Sequence, residues 1–394
     1  MKDIRFSKRI VWIVGLLIIS STTLQSQNVK GFYVNGFNTI LGNTILEDSL
    51  LVFAQNNGFN YLTLYDMHLV NNSTPLTNFS SAQTFANFVF KAKTQYGISE
   101  IGVAAENLWF FTNIIGVYNQ QHPSTNNKVD VYNLEFEFWV PSLVTSGGYY
   151  CTTYLQSGGY GCDTSGAFSY YKSMLKSIDS LANLTGQKSE AYFGFFNSGQ
   201  AQQIVQTGVD RVLVSIYIPS GNYSPTYQYN YVKPRLQDLA LANTNVKVMP
   251  LYSSEQSFMQ SWVTTNPFFL PYTDFVNSLS LESGSWKNYI QPEGIQWFAY
   301  SFLPKKNMTV TVEEKENLDF MISPNPAIGN VTIKMELRNS DASLRITNIL
   351  GEVVYSKRLT QPKTIVQTDK FSKGVYFVSI TNNNNITTQK LIIE

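Results

Sequence analysis

Two glutamates separated by one residue, Glu135 and Glu137 in the stretch VYNLEFEFW at 131–139, are the pair whose type and spacing most directly point to chemistry. Read as a strand, the stretch puts Asn133, Glu135, Glu137 and Trp139 on one face and Leu134, Phe136 and Phe138 on the other, because successive strand side chains alternate. Leu and Phe need an apolar layer to pack on, so both glutamates face the other way, into an interior or a cleft. Two carboxylates held together under partial burial repel each other, and one keeps its proton to higher pH than its neighbour. A protonated acid beside an ionised carboxylate is what glycosidic-bond cleavage requires. Spacing of i and i+2 sets the two backbones roughly 6.5 to 7 Å apart. A carboxylate from another strand, Glu106 or Glu255, is an alternative second group.

Other reactive types are scarce. The chain of 394 residues has two histidines, His68 and His122, which excludes His-rich metal sites and leaves little material for a Ser-His-Asp triad. No metal and no other cofactor is expected. Asp66 and His68 share a strand face in NYLTLYDMH, as a hydrogen-bonded pair or as a tuned acid/base group. His122, ahead of Pro123 in a polar loop, reads as a solvated surface residue. Cys151 and Cys162 stand in a loop rich in Gly, Tyr and Ser and read as a disulfide formed in an oxidising compartment. Closing so short a loop contributes about 2 to 3 kcal/mol in the chain-entropy picture.

The elements that must position these groups alternate. Strand candidates fall at 31–37, 60–68, 100–107, 131–139, 190–196, 211–218, 246–252 and 295–302. Between them lie helix-periodic segments such as TILEDSLLVFAQNNG, TFANFVFKAKTQYG and AFSYYKSMLKSIDSLANLTG, each ending in Gly. Eight alternations in a span of this length are the arithmetic of an α/β fold, a (β/α)₈ TIM barrel of about 250 residues. The competing doubly wound sheet would carry a Gly-rich turn after its first strand, and none is present. Barrel sites lie at the C-terminal ends of the strands. Those ends supply Asn35, Asp66 with His68, Glu106, Glu135 with Glu137, Asn197, Tyr217, Glu255, and Trp297 with Tyr300.

The octapeptide DVYNLEFE at 130–137 resembles the fourth-strand signature of glycoside hydrolase family 18, in which spaced acidic residues end in the proton-donating Glu. Asp130 and Glu137 match, and Asn133 and Glu135 replace the two intermediate Asp residues. Tyr217 stands for the sixth-strand Tyr and Trp297 for the eighth-strand Trp at the floor of the sugar site. The third strand, IGVAAEN, departs from the family pattern, as does Ile218 where an Asp would follow the Tyr. The resemblance implies Glu137 as catalytic proton donor and Tyr217 and Trp297 as sugar-site residues; together with the strand-end reading, Glu135 is expected as its catalytic partner and Asp66, Glu106, Asn133, Tyr217 and Trp297 as substrate-binding residues. In that family the substrate's 2-acetamido group is the nucleophile, positioned by the Asp before the catalytic Glu. Glu135 reaches one methylene further, so an ordinary carboxylate mechanism stays open.

The two ends of the chain describe an exported protein. Residues 1–26 combine the basic MKDIRFSKR, a ten-residue apolar run from Ile10 to Ile19 and a small, polar tail, the pattern of a signal peptide. No transmembrane span is expected in the mature protein, since a span needs roughly 20 apolar residues. The barrel is expected over 27–304, with 12 Lys+Arg against 17 Asp+Glu. A polar linker follows at 305–318, and 319–394, with 9 Lys+Arg against 6 Asp+Glu, alternates in short runs like a small all-β sandwich. There ISPNPAIGNVTIKMEL, LRITNILGEVVYS, FSKGVYFVSI and the terminal KLIIE resemble the type A C-terminal sorting domain of the type IX secretion system. That resemblance implies the type IX machinery as a partner and the cell surface or exterior as the destination.

With 28 Lys+Arg against 27 Asp+Glu, no nucleic-acid partner is expected. Aromatics are unusually dense, 49 of the chain's 56 falling within 27–304. Aromatic faces stack on sugar rings, so the partner expected is a carbohydrate. The reading is a secreted or surface glycoside hydrolase-like barrel, and the alternative is a non-catalytic carbohydrate-binding or adhesion barrel.

Overall fold

A computed structural model describes residues 28–217, 223–305, 320–335, 342–348, 352–382 and 385–394. The expected signal peptide, the linker beyond Lys305 and Ile218 lie outside the described residues. The chain divides into two compact units, Met1–Lys305 and Lys306–Glu394.

In the first unit β1 (Val29–Val34), β2 (Tyr61–Leu64), β3 (Glu100–Ala105), β4 (Val131–Leu134), β5 (Lys188–Phe193), β6 (Arg211–Ser215) and β7 (Val246–Ser253) pair in sequence, all parallel. A short strand, β8 (Ile290–Pro292), pairs with the start of β7. The circle then closes through β9 (Gly294–Phe298), which pairs with β7 (Leu251↔Gln296) and with β1 (Val29↔Gly294). Eight parallel strands, a closed sheet and outer helices make this a (β/α)₈ barrel.

Large inward side chains fill it. Tyr33, Tyr61, Val131, Tyr192, Leu213 and Met249 pack together inside. The Tyr61 ring needs its neighbours to be small, because a Cβ at Gly102 would strike its hydroxyl. Outward residues meet the helices. Thr164–Thr185 buries Phe168, Tyr171, Leu175 and Ile178 and ends at Gly186, whose φ of 74° is the left-handed conformation a helix C-cap favours. Phe32, Phe53, Phe59 and Phe268 form an edge-to-face cluster between barrel and helices, so much of the aromatic excess is core.

At the N-terminal end of the barrel, the opposite end from the expected site, the interior is ionic. Arg211 and Glu190 are fully buried and pair at 2.9 Å, and Arg211 also pairs with Glu100 at 2.7 Å. Lys188 reaches Glu100 at 2.5 Å. Tyr61 and Asn133 donate hydrogen bonds to the same Glu190 oxygen at 2.8 and 2.6 Å. Burial opposes ionisation of Glu100, but Arg211 and Lys188 together hold its carboxyl below its ordinary value. Asp130 belongs to this end too, paired with Lys93 at 2.7 Å.

The second unit is all β. One sheet joins β10 (Phe320–Ile328), β11 (Asn330–Met335) and β14 (Lys363–Gln367); another joins β12 (Ala342–Asn348), β13 (Val353–Leu359), β15 (Gly374–Asn382) and β16 (Asn385–Ile393). Strand pairs within each sheet are antiparallel, and a parallel contact between Ala327 and Ile393 links β10 to β16. Alternate residues, among them Val331, Ile333, Leu344, Ile346, Val378 and Ile380, share one buried core. Asn325, between the two prolines of the Pro-Asn-Pro opening, donates to the Lys390 carbonyl at 2.7 Å and accepts from the Ile392 N–H at 2.9 Å. Its side chain thus ties β10 to β16.

Candidate active site

At the C-terminal mouth of the barrel the fourth strand carries the argument. Its ladder outlasts Leu134, since the Glu135 N–H donates to the Ala105 carbonyl at 3.0 Å. Alternation continues to Trp139. Phe136 packs on Tyr150 and Tyr170, and Phe138 on Phe168 and Tyr171, both against the long helix. Glu135 and Glu137 therefore point into the mouth, Glu135 deeper and Glu137 half-buried near the rim.

Burial, then the charges of Glu137, Glu106 and Asp66, push the Glu135 carboxyl up from 4.5 to about 8. One of its oxygens, Oε2, is shielded from solvent and has no hydrogen-bond partner among the described residues. Glu137 is also raised by burial, while the Tyr192 hydroxyl, donating to it at 3.4 Å, pulls the other way. Glu135 in turn is the largest influence raising the hydroxyl of Tyr65.

A cavity of about 290 Å³ opens over Glu135, lined by Tyr65, Asp66, Glu106, Glu135 and Tyr154 among others; Glu137 and Tyr192 are not part of its lining. Tyr149 and Tyr154 both donate to the same Glu106 oxygen, at 3.0 and 2.9 Å. They belong to the loop after the fourth strand, where Cys151 and Cys162 form a disulfide with Cα atoms 5.1 Å apart. Two π-helical turns flank the cavity, Phe111–Ile115 after β3 and Cys151–Leu155 after β4. An i→i+5 turn inserts an extra residue and re-aims the side chains around it. Neither has a sequence signal. The cavity lining has no Lys or Arg. Among the described residues no group of three or more His, Cys, Asp or Glu could hold a metal ion.

Several expected site residues stand elsewhere or do other work. Asp66 and His68 do not share a strand face: β2 stops at Leu64, and Asp66, at φ 59°, begins the helix Met67–Ser73 that contains His68. Both still line the cavity, and Asp66 accepts from the Gly36 N–H at 2.9 Å. Asn133 faces inward as expected, but too deep to meet a ligand, fully buried between Tyr33 and Glu190. Trp297 lies on the outward face of β9; it is fully buried against Tyr252 and Phe268, and its indole donates to the Phe268 carbonyl at 3.1 Å. Phe298, one residue on, is the inward neighbour of Tyr33 and Tyr65. Tyr217 packs near Tyr192 within reach of the charges of Glu135, Glu255 and Glu137. Asn197 caps the helix Ser198–Val205 in a capping box with Gln200, and Asn35 hydrogen-bonds Ser301. His122 is not solvated: it is buried and stacked on Phe79 and Tyr118. The mouth gains two residues that sequence reasoning passed over, Tyr65 and Tyr192. Both continue the inward parity of their strands.

Residues 321–394 match the family model of the secretion system C-terminal sorting domain. An ulvan lyase of Nonlabens ulvanivorans is 27% identical over 90 residues, 22% of this chain, and the chain spans only 17% of that protein's length. Among solved structures, an engineered protein aligns over 93% of both chains at 10% identity with a TM-score of 0.42. The catalytic domain of a family 26 endo-β-1,4-mannanase from Bacillus sp. JAMB-750 aligns over 70% of this chain and 78% of its own at 13% identity, TM-score 0.39. Among the described residues no helix is long and apolar enough to cross a membrane. The C-terminal unit is thus a secretion system C-terminal sorting domain, and the chain is a type IX secretion substrate addressed to the cell surface or the extracellular space.

Proposed function

We propose that the barrel is a polysaccharide-active enzyme that hydrolyses glycosidic bonds with a carboxyl pair on its fourth strand. The observation that carries this reading is Glu135, a buried carboxyl raised to about 8 at the floor of an open, tyrosine-lined cavity that it shares with Glu106. At neutral pH it holds a proton. As the glycosidic C–O bond breaks, that proton passes to the leaving oxygen, and water supplies hydroxide to the sugar while a second carboxylate takes the remaining proton. The sequence reading gives the proton to Glu137. The environments support the reverse division, since Glu135 is the more buried and the more strongly raised, while Tyr192 stabilises charge on Glu137. Tyr149 and Tyr154 hold Glu106 in place to orient sugar or water.

A barrel that binds carbohydrate without cleaving it is the second reading, favoured by the sealing of Trp297 away from the mouth. A reducing-end screen of soluble polysaccharides tests both, with the mature protein beside Glu135→Gln and Glu137→Gln. We expect turnover of at least one polymer, lowered in each variant by roughly 10² to 10⁴-fold. Equal turnover by all three proteins overturns the assignment, and retention of polymer without turnover by any of them supports the second reading.

A further inference from the structure

A second cavity of about 480 Å³ adjoins the mouth on the outside of the loop after β4, lined by Trp109, Tyr154, Tyr160, Tyr170, Ser173 and Ser177 among others. It shares Asn107 and Tyr154 with the mouth cavity, so those two side chains are a common wall. That wall is built: the Asn107 side chain donates to the Tyr154 hydroxyl at 3.4 Å, and Tyr154 donates to Glu106 at 2.9 Å. A ring stacked on Tyr154 is therefore one hydroxyl away from the carboxylate cluster.

The rings are set as surfaces. Tyr154 and Tyr170 stack with an interplanar angle of 18°, and Tyr160 meets Tyr170 edge-on at 5.3 Å. Trp109 is 62% exposed, a large apolar face left in water beside them. The disulfide brackets the segment carrying Tyr154 and Tyr160, which limits how far those rings move apart. Aromatic faces with hydroxyls and small polar groups between them match the alternating apolar and polar faces of a sugar.

Charge narrows the occupant. No charged residue lines this groove, and the mouth presents Glu135, Glu106 and Asp66 with no Lys or Arg in its lining. A sulfated or uronic polymer would meet the Glu106 and Asp66 carboxylates in the mouth and no cation in either lining. We propose that the groove is a binding subsite for the uncharged sugar residues next along a chain whose scissile bond lies in the mouth, so that the enzyme cuts within an uncharged polysaccharide. This rests on the glycan reading of the mouth.

Affinity electrophoresis in gels containing galactomannan, laminarin or xyloglucan, with alginate as the anionic control, tests it on wild type, Trp109→Ala, Tyr160→Ala and Glu135→Gln. An oligosaccharide series of the retained polymer then gives kcat/KM against chain length. Wild type and Glu135→Gln should be retarded by a neutral polymer and not by alginate, and Trp109→Ala should lose about tenfold in affinity. Its deficit in kcat/KM should vanish for the shortest cleaved oligomer and grow with length. Wild-type retardation of both aromatic variants, or equal loss at every length, overturns the groove. Retardation by alginate and not by the neutral polymers overturns the uncharged occupant. If Trp109→Ala abolishes retardation while no turnover sensitive to Glu135→Gln is found, the hydrolase reading falls and the groove stands as a glycan-binding surface.

Discussion

The two ends of one barrel treat buried carboxylates in opposite ways. At the N-terminal end Glu190 and Glu100 meet Arg211, and each acidic group has a cation or hydroxyl within hydrogen-bond reach. At the mouth Glu135 and Glu137 stand near Glu106 and Asp66, with no Lys or Arg in the cavity lining. Burial raises carboxyls at both ends, but Arg211 opposes it at Glu190 and with Lys188 overcomes it at Glu100, whereas at Glu135 the neighbouring carboxylates add to it. The first end holds the strands in register. The second holds a raised carboxyl at an open cavity.

Breaking the ionic N-terminal end should have the largest effect. Arg211→Met leaves Glu190 and Glu100 buried without their guanidinium, and we expect a loss of about 3 to 5 kcal/mol, read as a midpoint lower by roughly 10 °C in thermal unfolding. A midpoint equal to wild type would erase the contrast between the ends. Within the N-terminal end the depressed Glu100 contributes fully above its ordinary 4.5 and loses that contribution as pH falls through its lowered value, while Glu190, raised by burial, runs the other way.

The mouth should weaken in the other direction. Because Glu135 is raised from 4.5 to about 8, the native state holds a proton that the unfolded chain has released, and stability declines as pH climbs through that window. Glu135→Gln should remove the decline, raising stability in urea unfolding by roughly 4 kcal/mol at pH 8 and little near pH 4.5. A pH-independent change would show that Glu135 is not held neutral. The smallest effect belongs to Tyr192→Phe. Losing the hydroxyl that lowers Glu137 should move the acidic limb of the pH–rate profile upward, with the basic limb in place.

Period-2 alternation made the fourth strand readable, because Phe136 and Phe138 had to face helices and so fixed the direction of both glutamates. The same rule cannot report depth. Asn133 has the right parity but sits a layer below the mouth. It also fails where a strand ends early: Asp66 adopts a left-handed conformation, which places His68 on a helix. At Trp297 an error of one residue reversed the face, since Gln296 and Phe298 are the inward residues of β9. Glu100, Glu190 and Arg211 were legible in principle, as charged residues of opposite sign near the starts of β3, β5 and β6. The π-helical turns were not, because an inserted residue leaves the local composition unchanged.

The Cys151–Cys162 bridge gives the site a history as well as a shape. Cytosolic thiols are kept reduced, so the loop bearing Tyr149 and Tyr154 is unbraced while the chain is inside the cell. Oxidation comes only once a chain bearing this sorting domain has left that compartment. The covalent closure around Tyr154, one of the two donors to Glu106, therefore forms with export, and a chain held in the cytosol lacks it.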